Sequence, residues 1–343
     1  MHYRALEDYV KDGLRLSQSM SHKCALAGIW WGGGGSLISL PDPRKGSFDR
    51  AALFREHGRF VTSLQGCFFT GKDLGVTEED MATVHQQTRF VMNVPPAVGG
   101  SGDPSGFTGK GVVVAMEAAV THAKLPGIQG LSLAVMGAGK VARSVVAAAL
   151  DKGVERVIVA DPDAAAVASM QAIFNDGRVL IKHVDPTDIS IVAEDVDILA
   201  PCATGGVLNP MTIPAIKAKF IVGGANNQLL DKVRDAVLLK NRGITFVPDY
   251  ICNRMGVMVA TAETAGTMIN DPLLLRHLDK SYPRGIYAMT HMVLDRAEAD
   301  NTTTAHAARV VAEELCQQPH LILPNRARSI AQSLRQHGWV YNG

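Results

Sequence analysis

The six residues Gly137-Ala138-Gly139-Lys140-Val141-Ala142 constrain this chain more than any other stretch. They follow an apolar run, Leu133 to Met136, and lead into a helical pattern from Val141 to Lys152. A strand that turns into a helix through Gly-x-Gly-x-x-Ala is the entry to a doubly wound, Rossmann-type unit. The first glycine permits the tight turn. The second lets a pyrophosphate approach the backbone, and Ala142 allows close helix–strand packing. Free N–H groups at the helix start, Lys140 and Val141 among them, and the helix dipole favour the anion. The next strand, Arg156 to Ala160, ends in Asp161. A carboxylate there accepts hydrogens from both ribose hydroxyls and repels a 2′-phosphate, so the segment predicts NAD rather than NADP.

Apolar strands and helices continue to alternate beyond this point: Ala164 to Phe174, Ile198 to Pro201, Phe220 to Gly223 and Ile244 to Val247. Continuous apolar strands between helices predict a parallel sheet with both faces covered. Upstream, a Gly- and Pro-rich stretch from Pro95 to Gly109 reads as a domain boundary. Before it the pattern gives a helix from Leu6 to about Met20, then strand, Gly-rich turn and strand from Ala25 to Ile38. A turn at Asp42-Pro43-Arg44-Lys45 and a helix from Phe48 to Leu64 come next. A short strand, Cys67 to Thr70, and a helix from Glu78 to Phe90 complete this half. A long helix covers about Gly111 to Ala123, and the chain after Val259 reads as helices. The expected fold class is α/β: a Rossmann doubly wound parallel sheet plus a smaller α/β substrate domain. The domains fall at 1–110 (which a family resemblance carried by later motifs implies is a reduced substrate and oligomerisation domain), 111–255 (the NAD-binding domain) and 256–343 (C-terminal helices packing back).

Composition excludes several classes. With 34 basic and 33 acidic residues the net charge is +1, so no basic excess argues for nucleic acid or an anionic membrane. No apolar stretch is long enough to span a bilayer, and the N-terminal residues lack the apolar core of a signal peptide. The five cysteines form no Cys-x-x-Cys pair and read as reduced thiols of a cytoplasmic protein. The eleven histidines have no metal-ligand spacing, so no metal is expected.

Six further blocks stand in order along the chain. They are Met20-Ser21-His22-Lys23 running to Gly32-Gly33-Gly34-Gly35, Thr70-Gly71-Lys72-Asp73-Leu74-Gly75, and Ser101-Gly102-Asp103-Pro104-Ser105 with Thr108. The others are Ala200-Pro201-Cys202-Ala203, Gly224-Ala225-Asn226-Asn227-Gln228 and Pro248-Asp249-Tyr250-Ile251-Cys252-Asn253. Together they resemble the Glu/Leu/Phe/Val dehydrogenases, most closely the leucine and phenylalanine branch, over nearly the whole chain. The resemblance implies oxidative deamination of an amino acid with NAD and assembly as a homo-oligomer. It implies that Lys23 holds the substrate carboxylate and that Asp73 moves protons to and from the amine. It further implies that Asn226 and Asn227 meet substrate and ribose. Thr108, Cys202, Ala203 and Asn253 would border the cofactor.

The chain departs from that family at a chemically important position. A lysine that polarises the carbonyl oxygen and activates water is expected after the glycines, and Gly35 stands there. Loss of one such group costs about 10²–10⁴ in rate. Lys72 and Arg254, a cation where the family has a small residue, are the candidates to replace its charge. His22, beside Lys23, is a further proton carrier. Trp30-Trp31 replaces small or aliphatic residues before the glycines, as a platform for substrate, as a plug in the vacated site, or as core and interface residues. The segment that lines the family's side-chain pocket precedes the position matched by Met1, so the side chain recognised is not legible. Three functions follow: an NAD-dependent oxidoreductase of amino or imino acids with altered machinery, a repurposed enzyme that handles an imine without water attack, or a non-catalytic NAD-binding protein.

Overall fold

A computed structural model describes residues 6–39, 48–73, 75–268 and 270–339. In chain order the helices and strands are α1 (Leu6–Ala27), α2 (Arg50–Ser63), α3 (Glu78–His85), α4 (Ser105–His122), β1 (Ser132–Met136), α5 (Lys140–Asp151), β2 (Arg156–Asp161), α6 (Ala164–Ile173), β3 (Val179–His183) and β4 (Ile198–Pro201). They continue with β5 (Phe220–Ile221), α7 (Arg234–Asn241), β6 (Thr245–Phe246), α8 (Asp249–Cys252), α9 (Met255–Glu263), α10 (Pro272–Leu275), α11 (Ile286–Ala299), α12 (Thr304–Cys316) and α13 (Arg326–Gln336). The chain forms two compact units: Met1–Pro104 with Val257–Asp271 and Glu314–Gly343, and Ser105–Gly256 with Pro272–Glu313. The stretch after Gly256 thus contributes to both units.

The second unit carries a six-stranded parallel sheet in the order β3-β2-β1-β4-β5-β6. This is the doubly wound order, with its reversal between β1 and β4, where ligands of such sheets bind. β1 and β4 occupy the residues their apolar runs indicate, and their central residues are fully buried. The edge strand β3 escapes the sequence pattern because Lys182 and His183 break its apolar run and only one side of it is paired. Helix α4 starts at Ser105, six residues ahead of the expected Gly111, and every residue from Gly111 to Val120 is buried. A helix apolar on all sides belongs inside a core. Its buried charge, Glu117, is matched by Lys280 at 3.0 Å and Lys152 at 3.3 Å, as a buried carboxylate requires.

The first unit differs from its sequence pattern. The expected strands at Ala25 to Ile38 and Cys67 to Thr70 are absent. Helix α1 runs on to Ala27, residues 28–39 take no regular form, and Thr70 makes only an isolated parallel bridge to Val91. The run Cys24-Ala25-Leu26-Ala27 is apolar enough for a strand, but alanine and leucine are the strongest helix formers. Helix α3 stops at His85 rather than Phe90. The expected turn at Asp42 to Lys45 lies outside the described residues.

Caps explain the helix starts. Asp49 accepts the Ala52 N–H at 2.9 Å to open α2, and Thr77 with Asp80 forms a reciprocal capping box on α3. No helix among the described residues is long and apolar enough to cross a membrane.

Candidate active site

In the second unit, the loop after β1 meets the ends of β2 and β4. Gly137 adopts φ 107°, a left-handed conformation that glycine alone enters without strain. A Cβ there would lie 3.1 Å from that of Ala203, so Cys202 and Ala203 close one side of the turn. Cys202 is tied to the neighbouring strand by its N–H to the Met136 carbonyl, 2.8 Å. Burial pushes its thiol up to about 11, opposed by the Gly224 N–H that points at its sulfur.

Gly139 is the N-cap of α5 and offers no side chain to the first turn. A Cβ built on it would find no atom within 4 Å. The turn therefore leaves space beside an uncapped helix start, which suits a pyrophosphate. Lys140 is exposed at the first helical position. The Val141 side chain packs 2.6 Å from where a Cβ on Gly224 would sit, which holds the asparagine loop against α5.

Asp161, at the end of β2, reaches back to the same turn. Its Oδ2 accepts the Ala138 N–H at 2.6 Å and its Oδ1 the Asp163 N–H at 2.7 Å. Each oxygen keeps further lone pairs for hydroxyl donors. Asp163 is occupied as the N-cap of α6.

The asparagine blocks also converge. Asn253 Nδ2 donates to Asn226 Oδ1 at 2.8 Å and to the Gly224 carbonyl at 3.1 Å. Asn227, at φ 50°, donates its N–H to Asp249 Oδ2 at 2.9 Å. Asn226 and Asn227 are exposed, while Asn253 is buried beneath them. Thr108 is buried on α4, 3.2 Å from the Cβ position of Gly256. Arg254 is wholly buried and donates to the Arg284 carbonyl. Burial, slightly opposed by Tyr282, lowers its guanidinium to about 9.

In the first unit, Lys23 lies within α1 rather than between a helix and a strand, and is 9% exposed, as is His22. The glycine run packs between α1 and Phe68. Ser17 Oγ donates to the Gly33 carbonyl at 2.9 Å, and a Cβ on Gly34 would touch the Phe68 ring at 3.0 Å. Trp31 stacks on Phe69 at 4.8 Å, and Phe69 meets Phe90 edge-on at 5.3 Å. Trp30 instead packs edge-on against His320, at 5.1 Å.

Lys72 Nζ pairs with Glu78 Oε1 at 3.3 Å, and Asp73 is exposed beside it. This loop has an anchor that sequence reasoning missed. Arg50 forks onto Asp80 at 2.8 and 2.6 Å and also donates to the Gly75 carbonyl at 2.7 Å. The Thr77-x-x-Asp80 spacing was the available signal for half of it.

The chain is similar to proteins of known kind. Residues 2–93 match the model of the Glu/Leu/Phe/Val dehydrogenase dimerisation domain, and residues 99–318 that of the Glutamate/Leucine/Phenylalanine/Valine dehydrogenase domain. The chain belongs to the Glu/Leu/Phe/Val dehydrogenase family. It is 38% identical to phenylalanine dehydrogenase of Lysinibacillus sphaericus over 312 residues, covering 89% of this chain and 77% of that one. It is 37% identical to leucine dehydrogenase of Geobacillus stearothermophilus, covering 91% and 80%. The crystal structure of L-tryptophan dehydrogenase from Nostoc punctiforme superposes with a TM-score of 0.74 at 31% identity, covering 96% and 87%. Family and leucine/phenylalanine branch are as the motifs implied, and the chain is an oxidoreductase of amino-acid dehydrogenase type.

Proposed function

We propose that this family member is an NAD-dependent oxidoreductase acting on an amino or imino acid, with catalytic machinery altered at Gly35. Dehydrogenases of this family use NAD or NADP. The observation that carries the NAD assignment is Asp161, whose carboxylate sits against the Gly137–Gly139 turn by its bond to Ala138. Bound there, the dinucleotide supplies the hydride acceptor. Gly137, Gly139, Lys140 and Val141 receive its pyrophosphate, Asp161 its ribose, and Thr108, Cys202, Ala203, Asn226 and Asn253 its remaining contacts.

Lys23 is the fixed cation for the substrate carboxylate, with Asn226 and Asn227 as polar partners of the substrate. Asp73, exposed on its loop, takes a proton from the substrate ammonium as the Cα hydride leaves. Water adds to the carbon of the resulting iminium, both of its protons pass to the nitrogen, and the C–N bond breaks to give a 2-oxo acid and ammonium. Lys72 is the cation on the same loop that stands in for the missing lysine. Its pairing with half-exposed Glu78 is a bond that a substrate carboxylate can replace. The match of residues 2–93 to a dimerisation domain supports a homo-oligomer.

Gly35, bare of any side chain, favours a second reading in which the imine is formed or reduced without attack by water. The deciding experiment is NADH formation by the purified protein with NAD and a pool of L-amino acids, followed by product analysis. Release of ammonia and a 2-oxo acid is expected. Reduced cofactor without ammonia release would move the assignment to the second reading, and no turnover with any amino or imino acid would overturn both.

A further inference from the structure

Glu263 ends α9 and lies, with everything it binds, in the first unit. Its Oε2 accepts the N–H of Asn93 at 2.9 Å, the N–H of Ser101 at 3.0 Å and the Ser101 hydroxyl. Its Oε1 accepts the N–H of Val94 at 3.0 Å. The loop between these residues is closed on itself by Gly100 N–H to Pro95 O and Gly102 N–H to Val94 O, both 3.1 Å. One carboxylate therefore fastens both ends of a loop whose other ties are backbone bonds of its own. Bonds from N–H groups to a charged carboxylate are about twice as strong as neutral ones.

What Glu263 fixes is adjacent to the proton-transfer loop. Asn93 is held at φ 56°, a conformation that needs support from its surroundings. The preceding residue, Met92, donates its N–H to the Thr70 carbonyl at 2.8 Å, and Thr70 returns its own to Phe90 at 3.0 Å. The Asn93 side chain is buried at 6% exposure, with its Oδ1 3.3 Å from the Cβ position of Gly71. Asp73 follows two residues later. The chain of contact is short: Glu263 holds the Asn93 backbone, and the Asn93 carboxamide backs the start of the Gly71–Asp73 segment.

We infer that Glu263 is a positioning residue for Asp73. It acts from the far side of Asn93 by fixing the backbone against which the Asp73 loop is laid. This rests on the reading of Asp73 as the group that exchanges protons with the substrate amine. A carboxamide at position 263 keeps the shape but supplies one neutral acceptor oxygen in place of two charged ones, so the loop amides lose their common anchor.

The test is a double-mutant cycle of Glu263→Gln and Asp73→Asn, with kcat and KM measured separately and amide hydrogen exchange followed by residue. Glu263→Gln should speed exchange at Asn93, Val94 and Ser101 about tenfold. It should lower kcat about tenfold with the KM for NAD unchanged. In the Asp73→Asn background the further loss from Glu263→Gln should disappear, because two residues acting through one step are not additive. Glu263→Asp, which keeps the charge, should recover part of kcat. Normal kcat with loosened amides would overturn the proposal, as would fully additive losses or a rise in exchange spread over the whole chain. Full activity of Asp73→Asn alone would remove the Asp73 reading, and the positioning role with it. The amide data would still report the clasp itself.

Discussion

Asp161 Oδ2 accepts the N–H of Ala138 across 2.6 Å, which joins the end of β2 to the middle of the glycine turn. The bond aims the carboxylate at the turn where a dinucleotide is expected and leaves lone pairs on both oxygens. Asp161→Asn keeps an acceptor for Ala138 but removes the charge. The KM for NAD should rise about tenfold. NADP should gain relative to NAD, because repulsion of the 2′-phosphate is gone. Steady-state kinetics with both dinucleotides check this, and an unchanged NADP-to-NAD ratio would count against the assignment of Asp161.

Placing a lysine at position 35 is sterically conditional. A Cβ on Gly35 would sit 2.4 Å from Leu16 Cδ2 and 2.9 Å from its Cγ. Gly35→Lys therefore forces Leu16 off its present rotamer, at about 1–3 kcal/mol. Adding Leu16→Ala should recover much of that stability, since it removes the two atoms in conflict. The thermal midpoints of the single and double variants decide. A single variant as stable as the parent would mean the glycine run can shift away from α1 unaided. Activity assays on the stable double variant then ask whether a lysine at 35 raises the rate of ammonia release.

The Asp80 anchor makes the Asp73 loop sensitive to acid. Burial on its own would raise the Asp80 pKa, but hydrogen bonds from Arg50 and from the Thr77 backbone and hydroxyl outweigh it and hold the carboxyl below its ordinary value. A carboxyl with a depressed folded-state pKa stabilises the fold fully above its unfolded pKa, about 3.9. That contribution fades as pH falls through the lower folded value. The stability gap between the parent and Asp80→Asn should thus be constant at neutral pH and shrink below about pH 4. Denaturant melts at pH 7 and pH 3 measure it. A gap that widens in acid would contradict the Arg50–Asp80 geometry.

The two halves of the chain were unequally legible. β1 and β4 lie in the middle of the sheet, where both faces are covered, so their continuous apolar runs had one reading. The Gly137–Ala142 motif then pointed to the strand ends where a dinucleotide is expected. In the first unit the apolar runs are four residues long, and such runs do not tell a strand from a helix. That is why the chain from Ala25 reads as the start of a strand, while Ala25 to Ala27 belong to the last turn of α1. Glu263 was invisible for another reason. Its partner Asn93 is 170 residues away, and nothing in a lone glutamate says which backbone N–H groups will face it. The Arg50–Asp80 pair, 30 residues apart, was hidden in the same way.

The glycine run has a consequence for how this protein can change. Its four positions do not offer the same freedom. A side chain at Gly32 would meet nothing within 4 Å, whereas one at Gly33 would fall 1.8 Å from the Ser17 carbonyl of α1. Gly34 faces the Phe68 ring at 3.0 Å, and Gly35 opens only if Leu16 yields. Random replacement along this segment would therefore be filtered before any chemistry is tested. Variants at 32 would survive freely, and variants at 33 would be lost. A new reactive group at 35 would arise most readily in lineages that had already trimmed position 16. The order in which substitutions become accessible, and so the routes open to directed evolution, is written in the spacing between one helix and one stretch of bare backbone.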